Sequence, residues 1–159
     1  MSRLGFGLLL ALVAGLHGCS GTSEADRTRS AVLRVLQTDK ELESRWESAS
    51  KGITSPAELA LLIERYCEEM ERIELTECPA DFRVAFRKHI RAWRDVHTAV
   101  SQLPDGFLDG VVLGAFNALM GEADGGTSRL QGDLRRAAEN VRLTYEEAEA
   151  IGARYGAAL

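Results

Sequence analysis

His89, Trp93 and His97 stand at i, i+4 and i+8, the spacing of one helical face. Imidazoles on a face that meets other helices can ligate a metal or a haem, because helical bundles build such sites from side chains on facing helices. Two histidines eight residues apart are separated by about 12 Å along a helix, too far to share one ion directly. The chain has no Cys-x-x-Cys-His for covalent haem attachment and no Glu-x-x-His pair. The favoured reading is therefore two packed histidines pointing to the core, each bonded to a buried carbonyl or carboxylate. The alternative is a small apolar ligand or a haem held by His89, Trp93 and His97.

Arg83, Arg87, Arg91 and Arg94 form a basic stripe beside that face, with Lys88 adjacent. It is either a patch for an anionic partner or the counterpart of an acidic row, Glu64, Glu68 and Glu71, on the preceding helix. The second is favoured because the matching row exists. No catalytic constellation stands out. There is no His-Glu-x-x-His, no Gly-x-Ser-x-Gly, no phosphate-binding glycine loop and no dinucleotide fingerprint. Asp124-Gly125-Gly126 is too short for a helix-loop-helix calcium loop. The expectation is a non-enzymatic structural or interaction module with no cofactor, no metal and no catalytic residue. An acid–base enzyme is the remote third reading, and it needs a pocket that joins carboxylates of unequal burial.

Such residues must be positioned by helices. Aromatics are few, β-branched runs are absent, and Ala, Leu, Glu and Arg, which favour helix, dominate. The three prolines, Pro56, Pro79 and Pro104, fall where helices should begin or end. A first helix is predicted from about Ser30 to Ser50, with Val35, Leu42, Trp46 and Ala49 inward, Asp39 interrupting the stripe and Gly52 closing it. Ser55-Pro56-Ala57-Glu58 is a capping box that opens a second helix. Its stripe is Leu59, Leu62, Ile63, Tyr66, Cys67, Met70 and Ile73. A third helix starts at Pro79 and stops near Leu103-Pro104-Asp105-Gly106, with Phe82, Phe86, His89, Ile90, Trp93, His97 and Val100 on one face. The last runs from about Ser128 to Tyr155, with a seam of Leu134, Ala138, Val141, Tyr145, Ala148, Gly152 and Tyr155.

Between the last two lies an apolar stretch, Gly106 to Gly121, in which Gly106, Gly110, Gly114 and Ala118 recur every four residues. Small residues so spaced let two helices approach closely, and sixteen residues with one charge are too few for a membrane span. A buried short helix is the favoured reading; a lipid- or partner-facing surface and a self-association face are the alternatives. The fold class expected is all-α: an antiparallel bundle of about four helices plus this short apolar, Gly-rich one.

The first 18 residues differ from all of this. Met1 to Arg3 is a short positive start, and Leu4 to Leu16 is an uncharged apolar run that fits the core of a signal peptide. It ends Leu16-His17-Gly18-Cys19, which resembles the lipobox of bacterial lipoproteins: an aliphatic residue at −3, a small one at −1, then cysteine. His17 departs from the pattern, where a small or hydroxyl residue is usual. The resemblance covers about 20 residues of the chain. It implies cleavage after Gly18, a diacylglycerol thioether and an acylated amine on Cys19, and hence palmitate and a stable membrane anchor. Ser20, not aspartate, follows; in lipoproteins of the enteric type this implies the periplasmic face of the outer membrane. Three segments result: 1–18 signal peptide, 19–29 lipidated cysteine and flexible tether, 30–159 helical domain. Without the leader, 18 basic residues face 24 acidic ones, a formal charge of −6, which argues against nucleic-acid binding. The expected partners are the membrane, through the lipid, and an envelope protein or an anionic envelope component at the arginine stripe or the Gly-rich face.

An oxidising periplasm invites Cys67 and Cys78 to pair. If the second helix ends near Ile73, residues 74 to 78 can retrace the roughly 9 Å back to Cys67. A structural disulfide is expected in preference to redox or metal-binding thiols.

Overall fold

A computed structural model describes residues 23–107 and 129–159. These form an all-α bundle of four helices: α1 Glu24–Ser50, α2 Pro56–Glu71, α3 Ala80–Val100 and α4 Arg129–Arg154. Each packs on the next in sequence, and α4 closes the ring against α1. Cross-helix pairs show that neighbours run antiparallel. Arg34 of α1 meets Glu77 beyond the end of α2, whereas Arg45 meets Glu69. Asp81 of α3 meets Arg154 of α4, whereas Lys88 meets Glu147. The signal segment, Cys19, and the Gly-rich stretch with Gly110 and Gly114 lie outside the described residues.

The helix starts follow from their caps. Ser55 Oγ accepts the Glu58 amide at 3.1 Å, with Pro56 at the first helical position. α1 begins six residues earlier than expected. Ser23 Oγ accepts the Asp26 amide at 3.1 Å, with Glu24 and Asp26 in the first turn. The polar run 24–29 is therefore helix and not flexible tether: a good cap and two acids at the positive end of the dipole offset its lack of an apolar period.

The core is continuous. Val32, Val35, Leu36, Leu59, Ile63, Met70, Phe82, Phe86, Val96 and Val100 are fully buried within it. At Gly152 α4 comes so close to α1 that a Cβ would meet Leu36 Cδ1 at 3.1 Å and Val32 Cγ1 at 3.3 Å. Two bonds end α4, Ala157 N–H to Gly152 O and Gly156 N–H to Ala153 O, with Gly156 at φ +75°. This is the Schellman arrangement, which needs a left-handed residue at that point.

The predicted disulfide is not formed: Cys67 and Cys78 are free, buried thiols. Residues 74–78 do not run back along α2. The Cys78 amide donates to Leu75 O at 3.0 Å, so the connection is spent on a turn that leads into α3. Both thiols join the apolar core, and burial pushes the Cys67 thiol up to about 11.

Candidate functional site

α3 carries its core face on a 4-3-4-3-4 rhythm through Phe82, Phe86, His89, Trp93, Val96 and Val100, all buried. His89 and Trp93 belong to this seam; His97 does not. Eight residues at about 100° each overshoot two turns by about 80°, so Val96 takes the inward position and His97 is only half-buried. The structure thus separates the two histidines that the sequence placed on one face.

His89 is 2% exposed and bonded on both sides. Trp93 Nε1–H donates to its Nε2 at 3.3 Å. Because an indole can only donate, Nε2 is the bare nitrogen and Nδ1 carries the proton. Nδ1–H then donates to Thr144 Oγ1 at 3.3 Å, and that hydroxyl itself donates to the Asn140 and Val141 carbonyls. Burial pushes the imidazole down to about 4, against a smaller upward pull from the Val141 carbonyl. His89 is a neutral ring with both nitrogens engaged. Axial ligation of a haem would require breaking its bond to Trp93, and His97 does not line the same pocket.

Asp39 of α1 lies opposite. It too is 2% exposed. Tyr66 OH donates to its Oδ1 at 3.3 Å. Its Oδ2 is 3.8 Å from His89 Nε2, beyond hydrogen-bond reach, and receives no donor among the described residues. Burial pushes the carboxyl up to about 7; Tyr66 draws it down and Glu43 raises it further. The close approach of Asp39 and His89 is not an ion pair, because Nε2 faces the indole N–H and bears no proton.

These groups line a cavity of about 330 Å³ among all four helices, at the small end of the ligand-site range of about 300–1,000 Å³. Trp46, Tyr66 and Trp93 form an aromatic corner. Trp93 lies 5.5 Å from Trp46 and 4.8 Å from Tyr66, centroid to centroid, with the planes at 63° and 72°. Tyr145 of α4 stands 5.3 Å from the His89 ring, and its hydroxyl is raised by burial and by Glu149 beside it. Glu43, Arg142 and Glu146 are the lining residues exposed to solvent. Arg142 is already clasped by Glu139 and Glu146. Asp39, Glu43 and Glu149 remain without a cation in the lining.

Sequence reasoning assigned Trp46, Tyr66 and Tyr145 to the core and missed that they enclose a space. It missed Asp39 as a site residue, although an acid inside an apolar stripe was the available signal. The arginine stripe divides. Arg94 bonds Glu71 at 3.0 Å, as the paired reading expects. Among the described residues Arg83 reaches only the Thr76 carbonyl, at 3.5 Å, Glu68 pairs with Arg72, and Arg87 and Arg91 form no ion pair with α2. Among the described residues no cluster of three or more His, Cys, Asp or Glu could hold a metal ion, and no helix is long and apolar enough to cross a membrane.

Compared with family models, with curated proteins and with solved structures, the chain matches none.

Proposed function

We propose that this chain is a lipoprotein of the cell envelope whose helical bundle is a non-enzymatic binding module for a small ligand, held between Asp39, His89 and Trp93. One observation carries the reading: the buried Asp39 carboxyl, whose Oδ2 receives no donor among the described residues, lines an aromatic-walled cavity. Burial makes that carboxyl costly to ionise, and a ligand that supplies a donor offsets the cost. The leader and Cys19 support the envelope assignment, and Ser20 supports the outer membrane. A haem suits the site poorly, because its histidine is already bonded at both nitrogens.

The test is native mass spectrometry of the protein purified from its own envelope. A bound small molecule that Asp39→Asn loses is the expected result; a ligand-free wild type, colourless and of bare mass, counts against it. Lipidation is read separately, by palmitate labelling that Cys19→Ala abolishes.

An acid–base catalyst is the second reading, favoured by the unequal burial of Asp39 and Glu43 in one pocket. Binding is preferred because, among the described residues, the lining offers no serine, cysteine or lysine nucleophile and both nitrogens of His89 are engaged. Recovery of the eluted ligand unchanged after prolonged incubation with the protein separates the two.

A further inference from the structure

We infer that the pocket selects a small organic ammonium ion, whose N–H donates to Asp39 Oδ2 while its hydrocarbon part lies against Trp46 and Trp93. This rests on the pocket being a ligand site.

Three features of the site converge on that class. The open acceptor calls for a donor: Oδ1 is taken by Tyr66 OH, and among the described residues Oδ2 has only the bare Nε2 of His89, at 3.8 Å. The charge calls for a cation: Asp39, Glu43, Glu146 and Glu149 face one guanidinium, Arg142, which Glu139 and Glu146 already hold. The walls call for an organic one. Trp46, Tyr66, Trp93 and Tyr145 present π-systems whose negative faces attract cations, Trp most strongly. A metal ion would find no cluster of three or more His, Cys, Asp or Glu among the described residues to hold it. An anion would meet four carboxyls and a single guanidinium, Arg142, that Glu139 and Glu146 already hold.

Binding should then ionise Asp39. The groups around that carboxyl are Glu43 on α1, Tyr66 on α2, His89 on α3, and Arg142, Tyr145, Glu146 and Glu149 on α4. Of these, His89 stays neutral above about pH 4, and burial holds Tyr66 and Tyr145 protonated. Affinity therefore follows Asp39. With its value at about 7 in the empty pocket, the ammonium ion should bind about 30-fold more weakly near pH 5.5 than near pH 8.5.

The chain's two tryptophans both line the pocket, so their emission reports occupancy directly. The full-length protein in an uncharged detergent is titrated with isopentylammonium and with isopentyl alcohol, which keeps the shape and a donor but lacks the charge. The expected result is a saturable emission change in which the ammonium binds at least about tenfold tighter, as loss of a charge-assisted bond would give. That preference disappears in Asp39→Asn, and wild-type affinity rises with pH as above. Asn keeps the shape of the neutral carboxyl, and the pH series on the wild type needs no variant. Equal affinity for the alcohol, or no dependence on pH, overturns the cation inference and leaves the binding reading standing. No saturable response to isopentylammonium also overturns it. If the envelope-purified protein then carries a ligand of another class, the binding reading survives alone; if it carries none, both fall.

Discussion

Asp39 and His89 are buried within 3.8 Å of each other with opposite consequences for stability. Asp39 has a folded value of about 7 against 3.8 unfolded, so between those values the native state holds the extra proton and stability falls as pH rises. The full effect is about 4 kcal/mol. His89 has a folded value of about 4 against 6.5, so the unfolded state holds the extra proton there and stability falls as pH drops. Between about pH 4 and 6.5 the two slopes cancel. Asp39→Asn should expose the histidine alone. Its stability, from urea unfolding, should fall by about 2 kcal/mol relative to wild type between about pH 6.5 and pH 5; parallel curves would refute the assignment. Trp93→Phe removes the one donor to His89 Nε2. It should raise the imidazole value, followed by NMR, and cost about 1–2 kcal/mol. The sequence exposed these residues unevenly. His89 and Trp93 were legible from their spacing. Asp39 was visible only as an interruption, because a polar residue in an apolar stripe reads the same whether it turns out to water or in to a partner 27 positions away.

At the scale of helices, stripe and cap positions were legible because each is a local property. Ser55 with Pro56 marked the start of α2, and Leu134, Ala138, Val141, Ala148 and Gly152 marked the buried seam of α4. What failed was long-range or cumulative. Drift around the helix moved His97 out of the seam, and a turn diverted Cys78 from Cys67. The early start of α1 was missed because its first six residues form helix through their cap and dipole without an apolar face. Ser55→Ala should cost about 1 kcal/mol in thermal or urea unfolding. Glycine-to-alanine changes at two points of α4 should have opposite signs. At Gly132 a Cβ meets only Arg136 Nη1, at 3.8 Å, so alanine should stabilise by up to about 1 kcal/mol through helix propensity. At Gly152 it would press on Leu36, Val32 and the Ala157 carbonyl at 3.1–3.3 Å, and overpacking of about 1–3 kcal/mol outweighs that gain. Two shifts of the same sign would show that the α1–α4 contact yields more easily than its geometry implies.

For the whole molecule, the free thiols set a stability claim that does not depend on oxidation. In protein purified from its own cells, Cys67 and Cys78 should both be alkylated after denaturation without reductant and almost not at all before it, because both are buried. A mass lower by two hydrogens would mean that the two thiols pair after all. The position of Ser23 as the cap of α1 has a spatial consequence for a lipid-bearing Cys19. Five residues from Cys19 to Glu24 reach at most about 18 Å, so on the proposed lipid anchor the start of α1 stays within that distance of the lipid. Asp39 lies fifteen residues along α1, about 22 Å from its start. The turn around Glu77 and the C-terminal turn of α4 lie at the end of the bundle where α1 begins, as Arg34 with Glu77 and Gly156 beside Arg29 show. The pocket thus sits at mid-height, with its acidic rim on the flank of the bundle. With the proposed lipid on Cys19, the pocket would therefore stand well along the bundle from the tethered end.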